Sequence, residues 1–257
     1  MRFFLTNLLL GTGCLLTGLP AHAQDGGPPN FVYGYAQLMS EYIGRGLSQS
    51  VGQVSTQVEI DVNPGDGLYG NLSAVHIGWV DKVYPGASVH VEVDGVLGWR
   101  EYFAHDGELK AGVLQLQFPG SYPAHSKKPD TTEVFGYVRW KGVSARLNYD
   151  VTDSFGTPDS RGAWYLDTNA VLPLGTQWSA GAHIGRKQSR GHDPVSGASN
   201  AQRFSYTDYK LSLARLFEHG YSVTLQYSWT TAEPDIYMLN GYRVGGNIVS
   251  AVLEKDF

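Results

Sequence analysis

The stretch Tyr221–Thr230 sorts its side chains by a strict two-residue period. Tyr221, Val223, Leu225, Tyr227 and Trp229 fall on one side of an extended chain, and Ser222, Thr224, Gln226, Ser228 and Thr230 on the other. The period returns at Val54, Thr56, Val58, Ile60 and Val62 against Ser55, Gln57, Glu59 and Asp61. It returns again at Val89, Val91, Val93, Leu97 and Trp99 against His90, Glu92, Asp94 and Arg100, and at Val143, Ala145, Leu147 and Tyr149 against Ser144, Arg146, Asn148 and Asp150. One such strand suits the half-buried sheet of a soluble protein. A chain that repeats it throughout needs an apolar solvent on one face and a wet interior on the other, and a closed membrane barrel supplies both.

The pattern predicts strands over about 31–42, 54–62, 68–79, 89–100, 109–118, 133–140, 143–150, 164–172, 178–187, 204–216, 221–230 and 243–257. The third has the least regular alternation. Turns fall at 63–67, 105–107, 141–142, 173–176 and 218–220, all rich in Gly, Asn, Asp or Pro. The connections at 80–87, 119–130, 152–162, 188–203 and 231–242 are longer and polar, while 43–50 reads as a modest first loop. Short turns alternating with long loops predict an all-β, antiparallel up-and-down transmembrane β-barrel of about twelve strands, with both termini on the periplasmic side. Prolines after the leader stay in loops, turns or strand ends, as a hydrogen-bonded ladder requires. The six tryptophans, at 79, 99, 140, 164, 178 and 229, lie near strand ends, as two aromatic belts would place them. Arg186, Arg215 and Lys255 interrupt the apolar faces only near strand ends, where a cation costs ~0–1 kcal/mol rather than the ~2–4 kcal/mol of the midplane.

The first residues read differently. Arg2 precedes an apolar run from Phe3 to Pro20, and Ala21-His22-Ala23 is a small-x-small cleavage site, so residues 1–23 read as a secretory signal peptide and 24–257 as one barrel domain. The single cysteine, Cys14, lies within the leader; Gly11 stands where a lipoprotein signal carries a bulky aliphatic residue. The formal charge is −5, and removal of Arg2 with the leader makes it about −6, which argues against a nucleic-acid partner. No later stretch approaches the roughly 18 apolar residues of a spanning helix. The reading places the chain in the cell outer membrane, in contact with the lipid bilayer and lipopolysaccharide.

The polar face carries Glu59, Asp61, His90, Glu92, Asp94, Arg100, Glu133, Arg139, Arg146, Asp150, Asp167, His183, Lys187, Asp208 and Lys210. Unpaired ions in a dry core cost several kcal/mol each, so this many charges point to a wet lumen or to pairing across it. Charges lining a pore set its ion preference, and the mixed signs here forecast weak selectivity. The pore-lining candidates are Arg45, Glu59, Glu92, Asp94, Arg139, Arg146, Asp150, Asp167, Asp208 and Lys210, with Arg45 expected to pair with Glu92 or Asp94. No catalytic residue, metal ligand or cofactor site is assigned: there is no G-x-S-x-G, H-E-x-x-H or Cys-rich spacing, and the histidines are dispersed. These features point to passive passage of small hydrophilic solutes or ions. An outer-membrane lipase or protease using His183, a soluble periplasmic binder, and a structural barrel with a plugged lumen stay open as alternatives.

Several blocks carry a resemblance. Arg45-Gly-Leu-Ser-Gln-Ser50, Thr132-Glu-Val-Phe-Gly-Tyr137, Ala145-Arg-Leu-Asn-Tyr-Asp150, Tyr165-Leu-Asp-Thr-Asn-Ala-Val-Leu-Pro-Leu174, Tyr206-Thr-Asp-Tyr-Lys-Leu-Ser-Leu213 and the ending Glu254-Lys-Asp-Phe257 together resemble the proteobacterial porin-like family sometimes called TorF (Gcw_chp). The resemblance spans nearly the whole chain after the leader and implies a single outer-membrane barrel with a passive-transport role. Residues 119–130 are more elaborate than the family pattern. The terminal Phe257, with Leu253, Ala251 and Val249 on its face, resembles the signal read by barrel-assembly machinery, although Lys255 departs from the usual apolar residue.

Overall fold

A computed structural model describes residues 32–103 and 107–257. The leader, the start of the first strand at Phe31 and the turn at His105-Asp106 lie outside the described residues. The strands are β1 (Val32–Met39), β2 (Ile43–Gly44), β3 (Leu47–Ser48), β4 (Ser55–Gly65), β5 (Leu68–His76), β6 (Val91–Phe103), β7 (Gly107–Gln117), β8 (Thr131–Trp140), β9 (Val143–Asp150), β10 (Trp164–Pro173), β11 (Trp178–Gln188), β12 (Tyr206–Leu216), β13 (Tyr221–Thr230), β14 (Met238–Leu239), β15 (Tyr242–Arg243) and β16 (Ile248–Asp256). Two helical turns, α1 (Val80–Val83) and α2 (Asn200–Phe204), sit in loops.

Twelve of these strands, all but β2, β3, β14 and β15, form one closed antiparallel barrel in sequence order. The seam joins β1 to β16 in the register Leu38↔Leu253, and the backbones of Gly34 and Phe257 exchange hydrogen bonds of 2.9 and 3.0 Å. Closure gives the edge strands partners, as a bilayer core demands. Three two-residue turns, Asp66-Gly67, Lys141-Gly142 and Asn240-Gly241, hold both residues at positive φ, the requirement of the type I′ hairpin that matches strand twist.

The alternation reads out as predicted. Leu72, Leu97, Leu211, Leu225 (54% exposed) and Val249 (65%) form the outward belt that faces lipid. Trp99, Trp140 and Trp178 lie on this face toward the short-turn end, and Trp164 and Trp229 toward the long-loop end. Trp229 stacks on Tyr209 at 5.2 Å and on Tyr227 at 5.3 Å. Arg215 rests on Trp178 and Phe217, and Lys255 on Tyr221, so these outward cations sit on belt aromatics. The molecule is an outer-membrane type of barrel, held in lipid by this belt.

Three expectations are corrected. Trp79 is no belt residue: it is fully buried in a loop core, packed edge-on to Phe118 at 5.3 Å. His90 precedes β6 and is exposed rather than lining the interior. The first connection, 40–54, is no modest loop but carries the buried hairpin β2–β3.

Leu225→Arg, at the middle of the lipid face, is expected to lower the unfolding free energy by ~2–4 kcal/mol in vesicles. Urea titration followed by tryptophan fluorescence measures it; a loss as small as that of a charge at a strand end would mean that this face does not meet lipid.

The lumen as candidate functional site

The interior divides in two along the barrel axis. At the long-loop end, loop segments fold inward and roof the lumen with an apolar cluster: Leu47, Ile77, Trp79, Val83, Phe118, Phe155, Tyr237 and Val244 are buried together. The inward faces of the nearby strands are apolar to match it, at Met39, Val75, Leu114, Leu116 and Val252. Burial pushes the Tyr84 phenol up to about 12, with the Asp130 carboxylate adding to the shift.

Beneath the roof, β2–β3 hangs into the barrel. Its two-residue turn is Arg45-Gly46, at φ 47° and 76°. Glycine is at ease there, whereas an arginine in the left-handed region is uncommon and needs outside support. Glu133 of β8 supplies it. Arg45 Nη2 donates to both carboxylate oxygens at 2.8 Å, and both side chains are fully buried. The guanidinium also lies against the rings of Tyr165, 4.9 Å away, and Phe155, 5.6 Å away. Burial works against the Arg45 charge, but Glu133 outweighs it and holds the group above its ordinary value. The Tyr206 hydroxyl donates to the Arg45 carbonyl at 2.9 Å. A Cβ on Gly46 would stand 2.2 Å from the Asp208 Cβ, so only glycine seats the hairpin on β12.

Two polar groups flank this latch. Lys187 donates to Asp150 at 3.2 Å and to Ser154 Oγ at 2.8 Å. His183 Nε2 lies 2.8 Å from Asp208, and its Nδ1 lies 3.0 Å from Asn169 Oδ1 and 3.5 Å from Asp167. Tyr165 donates to Asp208 at 3.1 and 3.2 Å. Both His183 nitrogens face these oxygens, an arrangement unlike a nucleophile–base pair. A cavity of about 10 Å³, room for about one water, is lined by the hairpin tip together with Tyr165, His183, Asp208 and Lys210.

Toward the short-turn end the lumen is wetter. Asp61, Asn71, Arg146, Asn169 and Thr224 are half-buried, and the Arg139 side chain is 40% exposed. Glu108 of β7 is held by Arg100 at 3.1 Å, Lys110 at 3.0 Å and Arg139 at 3.2 Å. Glu59 accepts from the Tyr35 hydroxyl at 2.9 Å.

Nine of the ten sequence-derived candidates project from barrel strands into the interior, and Arg45 enters it from the hairpin. The expected pairing of Arg45 with Glu92 or Asp94 is wrong; its partner is Glu133. Glu92 and Asp94 are buried on β6, on the same inner face as Glu133. Arg45, Asp150, Asp208 and Lys210 gather near the hairpin tip, with Asp167 behind them against His183, whereas the buried Glu59 and the half-buried Arg139 and Arg146 lie toward the short-turn end. Sequence reasoning missed Glu108 and Lys110, although Glu108 and Lys110 alternate with Leu109 and Ala111. Their strand continues inward with Gly112, Leu114 and Leu116, which blurs its polar face.

Among the described residues no cluster of three or more metal-binding side chains is arranged around a common point. A family model described as "Bacterial protein of unknown function (Gcw_chp)" matches residues 22–257. No curated protein matches the sequence. Among solved structures, the KdgM porin is 7% identical with a TM-score of 0.50, over 88% of this chain and 97% of that one. The NanC porin is 9% identical with a TM-score of 0.50, over 87% and 97%. At such identities the likeness is one of fold.

The loops at the roof are tied by a charge. Burial alone would raise the Asp153 carboxyl, but the ammonium of Lys127 and the N–H groups of Ser160 (2.9 Å) and Arg161 (3.1 Å) hold it below its usual value. A depressed folded value means that the clamp is at full strength above the ordinary aspartate value and is lost as pH falls through the folded one. Exchange of the Ser160 and Arg161 amides, corrected for intrinsic rate, is expected to stay slow at neutral pH and to accelerate only below about pH 4. Asp153→Ala, which removes the acceptor, is expected to exchange fast throughout, and equal protection in the variant would discard the carboxylate as the clamp.

Proposed function

We propose that this chain, which belongs to the Gcw_chp family of bacterial proteins, is a pore for small hydrophilic solutes or ions whose resting state is closed by the β2–β3 hairpin. The observation that carries the reading is the nature of the block. The upper lumen is stopped by a loop segment held by the Arg45–Glu133 ion pair, by the Tyr206 hydroxyl and by the packing of Leu47 under the roof, while the strand positions toward the short turns are partly open to solvent. A segment held this way can leave without unpairing a barrel strand. Removing one partner of a buried ion pair leaves the other uncompensated, at about 3–5 kcal/mol. In the barrel that cost is relieved when the hairpin lifts and water reaches Glu133.

The same reading covers assembly and setting. The leader is cleaved after Ala23, and the C-terminal strand ending in Phe257 is the segment offered to the barrel-assembly machinery. Val249, Leu253 and Phe257 are all exposed on the outside of the barrel, which supports this. The long-loop rim then meets lipopolysaccharide, with Trp164, Tyr149 and Tyr209 at the level of its headgroups. No chemistry is assigned to His183 in this scheme.

The dry upper lumen also favours a second reading, a permanently plugged structural barrel. Planar-bilayer recording separates the two. The wild-type protein is expected to show brief, rare steps. Arg45→Ala is expected to raise the open probability about tenfold or more, since a tenfold shift needs only about 1.4 kcal/mol of the pair's coupling. Gly46→Ala should act in the same direction, because its methyl displaces the hairpin from Asp208. Silent bilayers with all three proteins, each folded, would leave the plugged shell.

A further inference from the structure

Four cations stand on four adjacent strands in the lower lumen: Arg100 on β6, Lys110 on β7, Arg139 on β8 and Arg146 on β9. The register sets Arg100 beside Lys110, Lys110 beside Tyr137, and Tyr137 beside Arg146. Tyr69, Tyr137 and Phe135 floor the group, with Arg100 4.8 Å from the Tyr69 centroid, Lys110 5.1 Å from that of Tyr137 and Arg146 3.9 Å from that of Phe135. Within this wall the acid is Glu108, whose two oxygens serve Arg100, Lys110 and Arg139 together.

The donors exceed what one carboxylate can accept. Arg100 spends Nη1 on Asn63 and Tyr102, and Arg146 spends Nε on Asn148. The Nε of Arg139 and the Nη2 of Arg146 are shielded from solvent and make no hydrogen bond. Of the other acids of the lower lumen, Glu59 is held by Tyr35 and Glu254 by Gln37 across the seam. Asp61, bonded to Asn71 on the adjacent strand, also faces Lys110 and Arg100, so two carboxylates meet four cations. Asp167 lies beside Arg146 in register, yet its contacts are Asn169 and His183. The result is a wall with more cations than acids, open toward the short-turn end at Arg139, whose side chain is 40% exposed.

We propose that this wall is a binding site for multivalent carboxylate or similarly polyanionic solutes. Planar guanidiniums and an ammonium over aromatic faces suit such groups, because charge-assisted and bidentate hydrogen bonds supply both affinity and orientation. Arg139, the most open of the four, makes first contact, and Arg146 and Lys110 complete the cradle. The site deepens the pore reading by naming the solute class, but its test does not depend on current.

Isothermal titration of the refolded barrel in detergent micelles uses citrate as the probe, with sucrose and spermidine as neutral and cationic counterparts. Citrate is expected to bind, weakening as sodium chloride is raised, and the other two to give no heat. Arg139→Gln with Arg146→Gln is expected to weaken citrate binding about tenfold or more. Glu254→Gln, on the acidic side of the lumen, should leave it within about twofold. Folding is checked by heat-dependent gel mobility; should the double variant misfold, Arg139→Gln alone is expected to lose about threefold. No citrate heat in the wild type, or equal affinity in the folded variants, overturns the site. A barrel that binds citrate and passes no current keeps the site and removes the pore; one that conducts and ignores citrate does the reverse.

Discussion

A bilayer core offers no water to the backbone, and the rest of this architecture follows from that. Each N–H and C=O of a spanning strand must find a partner on a neighbouring strand, so the sheet closes. An even number of antiparallel strands lets the first and last meet with both chain ends on one side, where Gly34 and Phe257 bond across the seam. Gly34 is suited to that place, since a Cβ there would stand 2.3 Å from the Glu59 carbonyl. Once the sheet closes, period-two alternation leaves no choice. Odd positions of β13 face lipid, even positions face inward, and a register slip of one residue would exchange them.

The inward positions then meet two different environments. Under the roof, charges are dry and their partners are specific: Arg45 with Glu133, and Lys187 with Asp150. Such pairs add little net stability compared with well-packed apolar groups, but losing one partner is severe. That asymmetry suits a positioning device, and it fixes one seat for the hairpin. Nearer the short turns the charges are shared rather than paired: Arg100, Lys110 and Arg139 converge on the buried Glu108, and only Arg139 is well open to solvent. The same strands serve both regions. β8 supplies Glu133 to the dry half and Arg139 to the wet half, six positions along one face.

How much of this the chain declared in advance follows from which forces act locally. Strand existence was legible because alternation is a local property imposed by lipid, and β9 and β13 fall on the predicted residues. The barrel class and the inward placement of residues such as Glu59, Asp94, Arg146 and Asp208 followed from the same parity. β5 and β7 were harder to read, because Val75, Leu114 and Leu116 face an apolar roof made by distant loops. The hairpin β2–β3 leaves no mark in the sequence, since two-residue strands carry no period. Arg45 was recognisable as an interior contact, yet its partner was not: Glu92, Asp94 and Glu133 are equivalent by parity, and only the three-dimensional placement of the turn selects Glu133. Trp79 looked like a belt residue for a related reason, since lying near a strand end in sequence does not decide whether a side chain turns outward or under a loop. The blocks that carried the family resemblance have a shared physical meaning in the structure. Arg45, Glu133, Asp150, Tyr165, Tyr206 and Asp208 come from five of them and meet at one place.

Barrel width explains why a loop has to be there at all. Eight strands enclose a space that wall side chains can fill, while sixteen or more leave an open channel. Twelve fall between. In this barrel the dry seal comes from a backbone element brought inside. The hairpin is compact: Ile43 pairs with Ser48 and Gly44 with Leu47, and the Ser48 N–H and the Arg45 carbonyl find partners in Val244 and Tyr206. Gly46 lets it approach β12, Arg45 anchors it to β8, and Gly185 clears the ground beneath. A Cβ at Gly185 would stand 2.1 Å from the Tyr165 hydroxyl and 2.5 Å from Asp208, so its absence leaves room for the pair on which the hairpin rests. Among the described residues no such insert enters the lower lumen, and several wall side chains there, Asp61, Asn71 and Arg146 among them, stay half-buried rather than sealed.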